Sequence, residues 1–224
     1  EDITGDNRKL IRPRADKSKE EQLQRTRDKA EVFTPSWVCN AQNNLIDEAW
    51  FGRADVFNVA DEKSHTWQAT TEPIVFPLGK TWQDYVSDNR LEVACGEAPY
   101  LVSRYDTTTG EPIPISRRIG ILDRKMRVVN ENVENEKDWY TMAEKAFKHT
   151  YGYEWQGDNL LLAREALLYT YIEYFIDKFN YKDENGKYIR DANGELRVPT
   201  KQKIINADVA TINLFAFPEK NIPI

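Results

Sequence analysis

Cysteine and histidine are nearly missing from this chain: Cys39 and Cys95, His65 and His149, and no others in 224 residues. Two thiols cannot build a disulfide framework, and four ligand-type residues at unrelated spacings offer no zinc site. No apolar run approaches the length of a membrane span and no signal-peptide pattern opens the chain, so the expected setting is a reducing cytoplasm. Positive charge is not in excess either. With 31 Lys and Arg against 37 Asp and Glu, the formal charge is -6, so any affinity for nucleic acid has to come from local clusters of bases.

What is present is the composition of a folded protein, 40% hydrophobic and 12% aromatic, at a size that buries one substantial core or one domain with large insertions. Bases gather in residues 8 to 29 (Arg8, Lys9, Arg12, Arg14, Lys17 and onward through Lys29) with few acids between. This arm, residues 1–27, is expected to be helical over 16–29 and to need a surface to order on. That surface is a phosphate backbone or, equally, the arm is simply solvated. A second mixed stretch, with Arg117, Arg118, Arg124, Lys125 and Arg127 among apolar residues, reads either as a phosphate-facing excursion or as a packing element with solvated arginines. Residues 159–180 carry the strongest helical pattern, apolar around most of the circumference and therefore buried.

The chain is organised around Leu91-Glu92-Val93-Ala94-Cys95-Gly96-Glu97-Ala98-Pro99-Tyr100-Leu101. This reads as a strand, a tight turn of small residues and then a helix. Small side chains at Ala94, Cys95, Gly96 and Ala98 let a backbone approach a ligand closely, and Glu92 can hold a polar group such as an ammonium. Upstream, Phe33-Thr34-Pro35-Ser36-Trp37-Val38 reads as the start of a helix that ends near Gly52. Downstream, Asp138 is expected to cap a helix ending near Thr150, after which Tyr151-Gly152-Tyr153-Glu154 returns as a short strand. A carboxylate at such a strand end accepts hydrogen bonds from both hydroxyls of a ribose, and Trp155 beside it can cover an adenine ring.

These three stretches, in this order, resemble those of S-adenosylmethionine-dependent DNA adenine-N6 methyltransferases, the methylase subunits of bacterial restriction-modification systems. Glu92 through Leu101 is similar to the Asp-Pro-Ala-Cys-Gly-Ser-Gly-x-Phe-Leu motif of that family. Ala94-Cys95-Gly96 are identical, while Glu97 and Ala98 stand where the family has Ser and Gly. Glu31 through Val38 looks like its Glu-x-Phe-Thr-Pro-x-x-Val segment. The resemblance covers roughly residues 8 to 180 and implies an α/β fold, a Rossmann-like three-layer sandwich with insertions near 53–80, 104–137 and 181–199 of a domain spanning 28–224, whole or truncated. It implies S-adenosylmethionine held by Phe33, Thr34, Pro35, Glu92, Ala94, Cys95, Gly96, Glu154 and Trp155, with Asp208 at the adenine amine, and DNA as partner.

One family feature is missing. Adenine methylases carry an Asn/Asp-Pro-Pro-Tyr/Phe tetrapeptide that holds the target amine and stacks on the flipped base, and no such tetrapeptide occurs here. Asn221-Ile222-Pro223 keeps only Asn221 and Pro223 as weak catalytic candidates. The expectation is therefore the cofactor-binding part of a methylase whose tetrapeptide lies on a partner subunit or further chain. The alternative is a non-catalytic protein that holds DNA or a partner on a truncated methyltransferase fold. Protein or RNA as methyl acceptor stays open, because fold does not fix substrate.

Overall fold

A computed structural model describes residues 11–200, 203–204 and 214–216. Among them the chain runs through α1 (Lys19–Lys29), α2 (Ser36–Phe51), β1 (Asn58–Asp61), β2 (Thr66–Ala69), α3 (Trp82–Val86), β3 (Arg90–Val93), α4 (Ile121–Asn132), α5 (Glu136–Lys148), β4 (Thr150–Glu154), α6 (Gly157–Phe179) and β5 (Leu214–Ala216). Strands β3, β4 and β5 form a parallel sheet in that order, with Arg90 opposite Thr150, Val93 opposite Tyr153 and Glu154 opposite Ala216. Strands β1 and β2 form a separate antiparallel hairpin. The protein is thus α/β with a small parallel sheet.

Parallel neighbours need long crossovers, and crossovers that keep one hand while advancing in one direction set their helices on one face of the sheet. The contacts agree. Thr150 donates to Ala146 O of α5 at 2.9 Å, Trp139 of α5 meets Tyr171 and Phe175 of α6 edge-on at 5.1 and 5.3 Å, and Asn130 of α4 donates to Tyr174 O at 3.0 Å. Between sheet and helices lies the core, with Leu122, Met126, Val128, Val129, Trp139 and Ala143 wholly buried. Each large side chain withdrawn there contributes about 1.5–3 kcal/mol. The opposite face carries Leu91 at 54% and Val93 at 62% exposure, with Tyr151 and Tyr153 half-buried beside them. A three-layer sandwich needs helices on that face as well, and the described residues place none there.

Several sequence expectations shift. The stretch 104–137 is not a mere insertion, because it supplies α4 to the core. Arg124 is buried and donates to Asp47 Oδ2 at 2.6 Å, Asn40 Oδ1 at 2.9 Å and Asn44 Oδ1 at 2.8 Å. Lys125 is buried too, its Nζ donating to Asp88 O and His149 O at 2.6 and 2.9 Å. Neither reaches a phosphate, since a charge removed from water needs nearby partners and these two have found theirs within the chain. Helix α2 ends at Gly52 with φ +71, as its glycine predicts, but Ser36 N at its start is capped by Asp106 Oδ2 at 2.7 Å from seventy residues away. Asn135, not Asp138, caps α5.

The 53–80 region holds the β1–β2 hairpin and no strand at Ile74–Phe76. The 181–199 region is mostly exposed turns around Gly186 and Gly194, with a single bridge between Lys182 and Tyr188. Among the described residues no helix is long and apolar enough to cross a membrane.

Candidate functional site

Strand β3 does not lead directly into a helix. After Val93 the backbone turns through three left-handed residues, Ala94 (φ +56), Gly96 (φ +57) and Ala98 (φ +62). Pro99 disfavours the right-handed helical region for the residue before it, so a helix cannot nucleate at Ala98. The chain instead closes tight turns, with Ala98 N donating to Cys95 O at 2.7 Å and Leu101 N to Ala98 O at 3.1 Å. Cys95 N continues the sheet ladder to Tyr153 O at 2.8 Å. The expected helix N-terminus at this corner is therefore absent, and α4 begins only at Ile121.

The next amide points to the end of the neighbouring strand. Gly96 N donates to Glu154 Oε2 at 2.6 Å, and Gln156 N donates to Glu154 Oε1 at 2.8 Å, so a carboxylate only 6% exposed is fixed across the corner. On the other side stands Phe33, whose Cε1 would lie 3.3 Å from a Cβ built on Gly96. Thr34 O accepts from Cys39 Sγ at 3.7 Å and from Thr107 Oγ1 at 3.4 Å. The structure thus brings Phe33, Thr34 and Pro35, the turn at Cys95 and Gly96, and Glu154 to one place. Ala94 sits at its rim, exposed, and Trp155 follows Glu154 at 53% exposure. Asp208, Asn221 and Pro223 lie outside the described residues.

Glu92 points to the covered side of the sheet. Although the residue as a whole is only half-buried, its Oε2 is shut off from solvent and has no hydrogen-bond partner. Burial drives its carboxyl well above the ordinary range, the amides of Tyr100 and Leu101 pull against this, and Glu154 adds to it. The thiols of Cys39 and Cys95 are likewise raised, by burial first and then by Glu92. The surroundings of Glu92 are acidic, and no base contributes to its state.

Two features of this corner escaped sequence reading. Glu97, standing where the resembled motif has serine, is buried and accepts from Arg14 N at 2.7 Å and Tyr105 Oη at 2.6 Å. It clamps the basic arm over the corner, where the Arg14 guanidinium lies 5.3 Å from the Phe33 ring. Two further bases of the arm also pair with acids of this chain. Arg25 is paired with Glu31 and with Asp158 at 2.8 Å, and Arg12 pairs with Glu21 at 2.5 Å. A glutamate in a run of small residues was the available signal. Cys39 and Tyr100 were the other omission; Tyr100 interacts with Thr34 and both are influenced by Glu92, and their chain distance hid them.

Among the described residues no three His, Cys, Asp or Glu side chains gather in a way that would hold a metal ion. A cavity of about 1400 Å³ shares no lining residue with the corner; it lies between the β1–β2 hairpin, α4 and the far end of α6. No protein-family model, curated protein or solved structure matches the chain.

Proposed function

We propose that the corner binds S-adenosylmethionine and that the chain is the cofactor-binding part of a DNA adenine-N6 methyltransferase of a restriction-modification system, on a Rossmann-like methyltransferase fold. The observation that carries this reading is the buried carboxyl of Glu92 beside Glu154: its Oε2 is shut off from solvent with no donor in hydrogen-bond geometry, although the Tyr100 and Leu101 amides act on the group. A buried acceptor without a donor is costly, and an ammonium satisfies it in charge as well as in hydrogen bonding. S-adenosylmethionine brings two cationic groups, an ammonium and a sulfonium, and when bound it would supply a methyl group already activated for transfer.

The residues divide the work. Glu92 would hold the ammonium, and Thr34 and Pro35 would flank the methionine end. Glu154, oriented by the Gly96 and Gln156 amides, would accept the ribose hydroxyls through the lone pairs that those two bonds leave free. Since no Asn/Asp-Pro-Pro-Tyr/Phe tetrapeptide is present, the groups that hold and orient the adenine amine would come from a partner subunit or further chain. Among the described residues the outer edge of β3 has no partner strand and the face at Leu91 and Val93 is uncovered, which fits such an addition, because parallel sheets are stable when both faces are covered. The second reading, a non-catalytic protein that binds DNA or a partner through a truncated methyltransferase fold, draws on the same missing tetrapeptide.

Calorimetric titration with S-adenosylmethionine separates the two. Heat that is lost in Glu154→Ala supports cofactor binding. No heat from the folded intact chain removes the cofactor from both readings and with it the methyltransferase. A methyl-transfer assay on duplex DNA, with a partner subunit supplied, then decides between catalysis and binding alone.

A further inference from the structure

The 1400 Å³ cavity opens between the hairpin β1–β2, the turn at Ile115–Arg118, α4 and the last turns of α6. Its size admits a nucleotide. Six basic side chains line it (Arg117, Arg118, Arg124, Arg127, Lys178, Lys182) against four acidic ones (Asp61, Asp123, Glu131, Asp177), a surplus of two positive charges in a chain of formal charge -6.

Internal pairing accounts for some of these charges and exposes the rest. Arg124 belongs to Asp47 at 2.6 Å, Arg127 to Glu131 at 2.7 Å and Lys182 to Asp177. Arg117 has no carboxylate within ion-pair distance among the described residues; its guanidinium lies 5.4 Å from the Trp67 ring and donates to Trp67 O at 3.2 Å. Lys178 donates to Asn130 O at 2.8 Å, and its ion-pair partner is the exposed Glu134 at 4.0 Å. Arg118 shares one carboxylate, Glu173, with Arg104, at 2.5 and 2.7 Å. Its side chain is 7% exposed, yet Nη1 has no hydrogen-bond partner. Asp123 is the acid whose charge acts most on Arg118, but no hydrogen bond joins them: its Oδ2 accepts from the Ser103 amide and hydroxyl at 2.7 and 3.0 Å, and its Oδ1 is buried without a partner.

A buried guanidinium nitrogen without an acceptor beside two under-neutralised bases calls for an anion with several oxygens, and the planar guanidinium fork matches phosphate better than a point charge does. The half-buried Trp67, with Arg117 over its ring, gives a stacking surface for a base. We propose that this cleft binds a phosphate ester carrying a base, with Arg117, Arg118 and Lys178 on the phosphate oxygens and Trp67 on the base. The proposal stands apart from cofactor binding at the corner, with which the cleft shares no residue, and would give the methyltransferase reading its nucleic-acid contact.

The test titrates the intact chain with a short single-stranded oligonucleotide, a short DNA duplex and a nucleoside diphosphate, following probe anisotropy and tryptophan emission at several salt concentrations. The expected result is salt-sensitive binding of at least one probe, with an emission change that Trp67→Phe removes. The double variant Arg117→Gln/Lys178→Gln should bind about tenfold more weakly or worse, with a log-log salt slope shallower by about two. Its unfolding midpoint and its heat with S-adenosylmethionine should stay those of the parent chain. Competition by the diphosphate assigns the cleft to a nucleotide, whereas binding of oligonucleotides alone assigns it to a nucleic-acid backbone; either result supports the phosphate site. Failure of all three probes to bind at low salt, or unchanged affinity in the folded double variant, overturns it.

Discussion

Gly96 donates its amide to the carboxylate of Glu154 at 2.6 Å, joining residues fifty-eight apart in sequence. The bond ties the turn after β3 to the end of β4, so the two strand ends cannot move independently. Gly96 is also the one residue of the corner that Phe33 packs against at 3.3 Å when a Cβ is built there. Replacement by alanine places an L side chain in a left-handed conformation, which costs about 1–2 kcal/mol, and pushes on the Phe33 ring. Gly96→Ala should lower the denaturation midpoint accordingly and weaken any heat with S-adenosylmethionine. A midpoint equal to that of the parent chain would show that the corner tolerates a side chain.

Glu92 links stability to pH in a definite direction. Its carboxyl titrates well above the ordinary range when folded, so the folded chain keeps a proton that the unfolded chain has already lost. Stability from this group is full below the usual carboxylate value and declines as pH rises through the folded one. Glu92→Gln keeps the neutral form at every pH. It should flatten that decline and raise stability at neutral pH while weakening S-adenosylmethionine binding by about 1.5–3 kcal/mol, the range for a hydrogen bond to a charged group. Binding of a cation there should also expel the proton, so the calorimetric heat should vary with the ionisation enthalpy of the buffer. Heat independent of the buffer would argue against an ammonium at Glu92.

Lys125 works in the opposite sense. Burial, aided by Arg90, lowers its ammonium from 10.5 to about 7. Between those values the unfolded chain binds the proton and the folded one does not, so the contribution of this group to stability rises with pH over the window. Chemical denaturation of the parent chain and of Lys125→Met across pH 7 to 10.5 isolates the effect. The difference between the two should narrow or reverse as the pH falls, and a constant difference would refute a depressed lysine.

The Asp47 carboxylate is the hub of the buried polar network, accepting from Arg124 at 2.6 Å and from the hydroxyl of Tyr85 at 2.9 Å. Removing it strands a buried guanidinium, and breaking such a pair costs about 3–5 kcal/mol. Asp47→Ala should lose that much in urea unfolding. Asp47→Leu with Arg124→Met should recover part of it, because an apolar pair of similar volume removes the Arg124 charge with its partner, while Arg90, 3.9 Å from Asp47, keeps Asp88 at 2.7 Å. Equal losses in the single and double variants would mean that Asn40 and Asn44 carry the network without Asp47.

The local signals were legible where they needed no distant partner. Gly52 ends α2, Thr81 caps α3, and the apolar circumference between 159 and 180 marks α6 as buried. The same reading left Arg124 and Lys125 open between a phosphate-facing stretch and a packing element with solvated bases, because an arginine that pairs with an aspartate seventy-seven residues earlier looks in sequence like one that faces solvent. It also placed a helix after Gly96, where the chain closes tight turns instead and α4 begins only at Ile121.

The sequence by itself determined the strand-turn corner at Val93–Ala98, the acid that ends β4 and the order in which these follow the Phe-Thr-Pro segment, since turn chemistry and strand ends depend on neighbours a few residues away. Only the tertiary structure decided that Glu92 is buried with its Oε2 unsatisfied, that Glu97 draws the basic arm over the corner, and that Arg117 and Arg118 line a cleft elsewhere. Those outcomes depend on which charges meet after the chain has closed, and burial sets the strength of each meeting.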